Sequence, residues 1–454
     1  MTELPSITQP LADWCGTLTL DDFTPQAQAR ALDSVVDTVG VAIAASGEPD
    51  YQAAEEFAVA SHGAPGDAQV WGRGRGANAS EASLLNGTAG HLMDFDDVHY
   101  LIHGHASTVL LPALFAAGQA AQVQPRRVML GYMAGLGVMS AVARAYGPRH
   151  YSRGWHSTST CGAVGAAAGV ATMLGLSVSE IAHSMSAGVS MSFGVRANFG
   201  TILKPLHAGL AARAGVEAVL LTRAGGLAAP NALERDLGGV RVFGDGSWPG
   251  EYADPVATIL ETAAAGTDEL GVKLYPCCRG GHYAIDATLD VREVLPSGVD
   301  VDSVTVRVPL GARTALIHDD PETGLQAKFS LPYAVATSLV RGIPSPDHFS
   351  DEAIHDDKVQ RVMRAITVIE DESSGDLSAG MEGRYAEIEV VCAGRRYSAR
   401  CDDARGSWSR PLTQAEVDGK FLRMASRSHG VDGPALLRRL RALQDAESLV
   451  GLFG

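Results

Sequence analysis

Fifteen consecutive residues, from His91 to His105, carry three carboxylates (Asp94, Asp96, Asp97) and four imidazoles (His91, His99, His103, His105). At helical spacing Asp94 and Asp97 share a face, and the turn around Gly104 lets His103 or His105 fold back toward them. A carboxylate that accepts from one imidazole nitrogen fixes the tautomer and leaves the other nitrogen free for acid or base work. The same residue types also bind metals, and the plain structural alternative is a capped helix end with solvated side chains.

Three further segments concentrate polar chemistry. Trp155-His156-Ser157-Thr158-Ser159-Thr160 runs into an Ala/Gly-rich helix, and free N–H groups at such an N-terminus favour anions, although a simple Ser/Thr cap reads the same way. Between Arg196 and Gly209, a cation (Arg196), an amide (Asn198), a second cation (Lys204) and an imidazole (His207) converge where Pro205 suits a first helical turn. Lys204 and His207 stand three apart among apolar residues, so their burial calls for anions or a structural salt bridge. Lys273-Leu274-Tyr275-Pro276-Cys277-Cys278-Arg279-Gly280-Gly281-His282 mixes cations, thiols and imidazole. It suits the mouth of a cleft between domains, or else a solvated linker. Adjacent Cys277 and Cys278 make a poor zinc pattern, so no metal is expected. No P-loop, dinucleotide fingerprint after a strand or G-x-S-x-G elbow is present, and Gly72 to Gly76 reads as a loop. No cofactor is therefore expected.

The elements that must position these residues fall into two kinds. Up to about residue 266, apolar residues recur at three and four positions, predicting helices over 29–45, 81–93, 108–122, 127–146 and 204–223. The Ala/Gly-rich stretch from Cys161 to Leu176 is expected to be a buried core helix. Thereafter alternating patterns predict strands over 301–309 and 385–391, with helices over 284–294 and 331–341. At Thr413 a capping box with Glu416 opens a return to helix, with a last helix near 433–445 packing back on the first lobe. The expected architecture is mainly α with an α+β lid: a helical domain over 1–266, a lid over 267–408, and C-terminal helices over 409–454 that rejoin the helical domain.

With 454 residues, 46% of them hydrophobic, the chain can bury a large core. Its formal charge of -16 argues against nucleic-acid and anionic-membrane partners but not against a small anionic substrate held by local cations. Six unpaired-looking cysteines suit a reducing, cytoplasmic setting. The N-terminus lacks a signal-peptide pattern, and no apolar run reaches the ~20 residues needed to span a bilayer.

Five motifs, in order, cover most of the chain: D-F-D-D with a following His, G-W-H-S-T, R-A-N-F-G-T-x-x-K-P-L-H-A-G, K-x-Y-P and F-S-L-P-Y. Together they resemble the MmgE/PrpD family, which includes 2-methylcitrate dehydratases, cis-aconitate decarboxylases and iminodisuccinate epimerases. The resemblance implies a helical domain, an α+β lid, a homodimer and an active-site cleft lined by Asp94, His105, His156, Lys204, Lys273 and Tyr333. Arg196, Asn198, His207, Arg279 and His282 are expected to bind substrate. Val98 stands where the family often has Thr, which bears on how a substrate hydroxyl or carboxylate is held. The reaction expected first is water loss from a 2-methylcitrate-like acid, with His105 oriented by Asp94 and His156 or Tyr333 as the opposing acid. Decarboxylation, epimerisation or double-bond isomerisation, and a silent polycarboxylate-binding role are the alternatives.

Overall fold

The computed structural model describes residues 4–244, 254–296, 300–374 and 383–453. Residues 1–3, on which the reading of the N-terminus partly rests, lie outside them.

A large helical domain is built around α1 (Pro25–Ala45), α2 (Ala79–Leu92), α3 (Ser107–Ala120), α4 (Pro125–Tyr146), α5 (Gly162–Leu174) and α6 (Val178–Ser190), with α7 (Leu203–Arg223) against α2 and α5. Local chemistry starts them. Thr24 and Asn78 accept backbone N–H bonds at the starts of α1 and α2, Pro25 fits the first turn of α1, and Ser177 with Glu180 forms a capping box on α6. Small residues then let the helices touch. A Cβ on Gly209 of α7 would lie 2.1 Å from the Leu84 carbonyl oxygen of α2, so only glycine permits this approach. The contact sets the C-terminus of α2, which carries His91, beside the N-terminus of α7, which carries Lys204.

The sequence pattern left no run long enough to cross a bilayer, yet α4 is 22 residues long and apolar enough to do so. It carries three methionines and three glycines among its apolar residues, and 83% of its most apolar window is buried inside the fold, as befits a central core helix. The Ala/Gly helix α5 is also buried.

A short antiparallel pair, β1 (Val98–His99) with β2 (Leu270–Gly271), joins the loop after α2 to the segment that leads into the second domain. That domain packs α8 (His282–Val294) and α9 (Leu331–Arg341) on one sheet of four strands: β3 (Ser303–Pro309), β4 (Ile366–Asp371), β5 (Ala386–Cys392) and β6 (Arg395–Cys401), in the order β4-β3-β5-β6. β3 and β4 are parallel, whereas the other pairs are antiparallel. Buried positions alternate along β3 and β5, so one face meets the helices. The chain is thus a mainly α protein with a smaller α+β domain.

The C-terminal helices α10 (Gln414–Ala425) and α11 (Gly433–Arg441) lie against α1. Thr413 and Glu416 form the capping box of α10, and Arg441 pairs with Asp33 of α1 at 2.6 Å. The last α-helix is shorter than the pattern suggests, ending at Arg441 with a single 3-10 turn over Leu443–Asp445.

Candidate active site

A cleft between the two domains is lined by Asp94, His103, His105, His156, Lys204 and Lys273, with Cys278, Arg279 and Arg384 from the lid side. Helix α2 stops at Leu92, and Asp94 adopts the left-handed conformation, with φ +51°. This non-glycine strain turns its carboxylate away from the helix and toward two lysines. Lys204 Nζ donates to Asp94 Oδ1 at 2.5 Å; Lys273 Nζ donates to Oδ2 at 2.7 Å and to the Asp94 carbonyl at 2.9 Å. Burial pushes the Asp94 carboxyl up, but the two ammonium groups outweigh it and hold the acid well below its usual range. Burial depresses Lys273, and Asp94 and Asp96 more than restore it, so its ammonium is retained.

A second layer lies behind this triad. His91 presents Nδ1 to Asp96 at 2.9 Å and Nε2 to Lys204 Nζ at 2.9 Å. Because Nε2 faces an ammonium it must accept, so Nδ1 carries the proton. Burial lowers His91 to about 3, against the pull of Asp96, and fixes it neutral. Each lysine therefore uses two N–H groups on protein partners and keeps a third for the cleft.

His105 places Nδ1 2.7 Å from the Asp97 carbonyl and 3.1 Å from Asp96 Oδ2. Its Nδ1–H is committed, leaving Nε2 for the cleft. Burial lowers its pKa, partly opposed by Asp96. His156 contacts His207 through the two Nδ1 atoms at 3.2 Å, with the Phe199 ring edge-on at 5.0 Å. Burial, helped by Lys204, holds His156 well below the ordinary histidine range. Beside these cations, Val98, Phe199 and Phe329 join Ala312 and Ala315 of the lid as the apolar part of the lining, the Phe199 and Phe329 ring centres lying 5.5 and 5.1 Å from Lys204 Nζ.

A family model for the MmgE/PrpD N-terminal domain matches residues 9–251, and one for the C-terminal domain matches residues 275–437. The chain belongs to the MmgE/PrpD family. It is 25% identical over 440 residues to the cis-aconitate decarboxylase of Mus musculus, covering 93% of this chain and 88% of the relative. The human cis-aconitate decarboxylase is 25% identical over 462 residues, covering 98% and 93%. A cis-aconitate decarboxylase-like protein of Aspergillus oryzae is 26% identical over 388 residues, covering 80% of each chain.

Within this MmgE/PrpD cleft the structure corrects several sequence expectations. Asp94 and Asp97 do not share a helix face, because the helix ends before both. Asp97 instead faces inward, accepting a short hydrogen bond from Ser107 Oγ, which also meets Tyr132 Oη. Asp94 does not orient His105; Asp96 and the Asp97 carbonyl do. Tyr333 does not line the cleft: it is buried, stacks edge-on with Phe349, and donates its hydroxyl to the His348 carbonyl at 2.5 Å.

The expected substrate-binding residues also divide. Arg279 reaches the cleft but donates to Tyr100 Oη, the Ala404 and Arg405 carbonyls, and His282 Nδ1. His282 sits behind it, with Nε2 3.2 Å from the Cys277 carbonyl. Arg196 lies over the Tyr151 ring at 3.8 Å and donates to the carbonyls of Tyr151 and of Thr314 in the lid, so it clamps the two domains. Asn198 uses its carbonyl to receive Thr201, and His207 stands behind His156. Sequence reasoning passed over His91 and Asp96 as individual participants, although both lie in the densest polar segment. It also passed over the lining residues Tyr151, Thr314 and Arg384, whose segments carry no local signal.

The three atoms that His91, Asp96 and His105 turn to one another lie within 4.8 Å, which is also metal-ligand spacing. Here the two imidazole nitrogens hydrogen-bond to the carboxylate, and Lys204 occupies the far nitrogen of His91.

Proposed function

We propose that this protein is a lyase that removes one carboxylate as carbon dioxide from a small unsaturated tricarboxylate of the cis-aconitate class, using its own side chains. The observation that carries this reading is the pairing of a two-lysine floor with an apolar wall. The spare N–H groups of Lys204 and Lys273 anchor two carboxylates of the substrate, while the third lies against Val98, Phe199, Phe329 and the lid alanines. A carboxylate is poorly solvated there, whereas neutral carbon dioxide is not penalised, so bond breaking is favoured over the ground state. The resemblance to cis-aconitate decarboxylases along most of the chain supports the same choice.

In the proposed step the C–CO2 bond breaks and its electron pair shifts through the allylic system, moving the double bond. The carbon that gains electron density takes a proton. His105 supplies it: a bound trianion offsets the burial that keeps the imidazole neutral, and Asp96 stabilises the imidazolium, with Nδ1–H held by the Asp97 carbonyl. The lysine ammonium groups stabilise the charge that spreads onto the remaining carboxylates. His105 then regains a proton from solvent, so one proton is consumed for each carbon dioxide released.

Water loss from a 2-methylcitrate-like hydroxy acid is the second reading. The neutral His105 suits proton removal, but Val98 itself brings no hydroxyl to hold or protonate a leaving group. The test is to incubate the protein with cis-aconitate, 2-methylcitrate and citrate in deuterated buffer, following products by NMR. Carbon dioxide release with one deuteron incorporated supports the first reading. Water loss alone replaces it with the second, exchange alone points to an epimerase or isomerase, and no reaction points to a binding protein.

A homodimer belongs to the same proposal. On α7, Leu203, Leu206, Leu210, Arg213, Glu217 and Leu220 recur at three and four positions and are exposed or half-buried, as are Leu221 and Arg223 at its end, while the rest of the helix is buried. Such a stripe suits a second copy of the helix. Light scattering should give twice the 47.4 kDa chain mass, and a monomeric wild type at micromolar concentration would exclude the pairing.

A further inference from the structure

Beneath the cleft, and outside the residues that line it, lies a buried lysine that the proposed chemistry does not use. Lys420 sits on α10, in the C-terminal segment, with 1% of its surface exposed. Its Nζ donates to the Phe95 carbonyl at 2.6 Å and the Lys273 carbonyl at 2.9 Å, and pairs with Asp37 Oδ1 of α1 at 2.6 Å. The same ammonium lies 3.8 Å from the centre of the Phe95 ring. Two N–H groups are thus spent on backbone carbonyls, and the Asp37 carboxylate meets the charge from a third part of the chain.

Two of these acceptors stand out. Phe95 directly follows Asp94, the strained residue that pairs with both lysines, and the other carbonyl belongs to Lys273 itself. One ammonium therefore fastens the two backbone segments whose side chains form the Lys273–Asp94 pair, although these segments are 179 residues apart and belong to different parts of the fold. The left-handed turn at Asp94 has no helix to hold it, since α2 ends at Leu92. Without that donor the Phe95 and Lys273 carbonyls would be unsatisfied, and the hold on the two segments would fall to the β1–β2 pair and the Lys273 side chain itself.

We propose that Lys420 is a positioning residue: the C-terminal helix holds the Asp94 and Lys273 backbones in register through it, setting the geometry in which the cleft lysines meet substrate. Asp37 anchors the ammonium from the opposite side. Burial raises the Asp37 acid to about 6 against the pull of Lys420, so removal of the lysine alone would leave a carboxyl without its partner in the core.

The test accordingly uses a charge-balanced pair of changes in the full-length chain. It rests on the proposed tricarboxylate chemistry, so binding of the unreactive saturated analogue tricarballylate is measured by calorimetry beside turnover of cis-aconitate. Asp37→Asn keeps Lys420 and both carbonyl contacts, and is expected to hold kcat within about threefold of wild type. Asp37→Asn with Lys420→Met keeps the stem beside Phe95 but removes every donor. Its kcat per folded molecule is expected to fall about 100-fold, the order expected for a misplacement near 1 Å, with KM and the tricarballylate Kd changed less than tenfold. Wild-type kcat in the folded double variant overturns the proposal, as does an equal loss in Asp37→Asn alone. Should the double variant fail to fold, Asp37→Asn with Lys420→Gln restores one amide donor and is read identically: an intermediate kcat supports positioning, an unchanged kcat overturns it. If wild type binds tricarballylate yet turns over no tricarboxylate, the function reading fails instead, a result distinct from an unaffected variant of an active enzyme.

Discussion

Replacing Asp94 by Asn isolates the charge at the centre of the cleft. The Lys273 ammonium lies 2.7 Å from Asp94 Oδ2, with side-chain exposures of 0% and 3%. At an effective dielectric constant of about 20, opposite charges roughly 4 Å apart attract by about 4 kcal/mol, equivalent to about three pKa units. Asn retains a carbonyl oxygen for the lysine, and Asp96 still favours the ammonium, so the Lys273 pKa falls by less than the full strength of the lost pair. Lys273, which Asp94 and Asp96 hold above its ordinary value against burial, would then lose its proton at a lower pH than in wild type. As pH rises through that point, the variant loses a carboxylate anchor, whereas wild type keeps it. The assay is the pH dependence of kcat/KM for cis-aconitate, measured from pH 6 to 9 beside far-UV circular dichroism. A new alkaline downturn, absent from wild type, is expected in Asp94→Asn. A variant that stays folded and tracks the wild-type profile to pH 9 would refute the assignment of Asp94 as the group that sustains the Lys273 charge.

Three other outcomes follow from the same geometry. His105→Asn should lower kcat by about 100- to 10,000-fold while leaving tricarballylate affinity within a few-fold, since a proton donor is lost but both lysines remain; comparable losses in kcat and affinity would contradict the role. Thermal stability should rise from pH 4 to 6.5. His91 is lowered to about 3, and His99 and His207 to about 4, chiefly by burial, so the unfolded chain takes up their protons first and their contribution is full only above the ordinary histidine pKa. Asp97, raised to about 7 by burial, acts oppositely, losing its contribution as pH rises; Asp97→Asn should therefore steepen the increase in melting temperature, and a flat profile in both proteins would contradict the burial argument. Val98→Thr adds a hydroxyl to the apolar wall at nearly constant shape, and should shift kcat/KM about tenfold toward hydroxylated tricarboxylates over cis-aconitate; an unchanged ratio would remove Val98 from substrate selection.

The helices were legible because they depend on local pattern, whereas the cleft lining by Asp94, His105, His156, Lys204 and Lys273 followed from the family resemblance. Lys204 and His207 stood out as polar residues in an apolar helix, and the Thr413–Glu416 box announced α10 directly. What escaped the sequence was pairing over distance. Lys204 and Asp94 are 110 residues apart, and Lys273 and Asp94 are 179 apart. Which aspartate serves His105 depends on the left-handed turn at Asp94, a conformation that a non-glycine residue does not advertise. β6 was also missed, since R-R-Y-S-A-R-C is a charged edge strand with few buried positions. The F-S-L-P-Y motif misled for a different reason. Ser330 accepts from the Tyr333 N–H and Pro332 occupies the first turn of α9, so the motif specifies a helix start and the tyrosine packs behind it.

Counting donors separates the cations that residue type alone made equivalent. Arg279 spends donors on four protein acceptors, and Arg196 bridges two carbonyls from opposite domains while stacked on Tyr151. Their guanidinium planes are thereby fixed: Arg279 has little hydrogen-bonding capacity left for a ligand, and Arg196, whose Nε has no partner, stands outside the residues that line the cleft. Lys204 and Lys273 each meet only two acceptors, and share one carboxylate between two positive charges. Their corner of the cleft therefore retains both unused donors and excess positive charge, the two properties that a polycarboxylate needs and that neither arginine combines. Lys420, with two donors on backbone carbonyls and its charge paired with Asp37, completes the series: the same residue type, buried one layer deeper, supplies rigidity where the cleft lysines supply affinity.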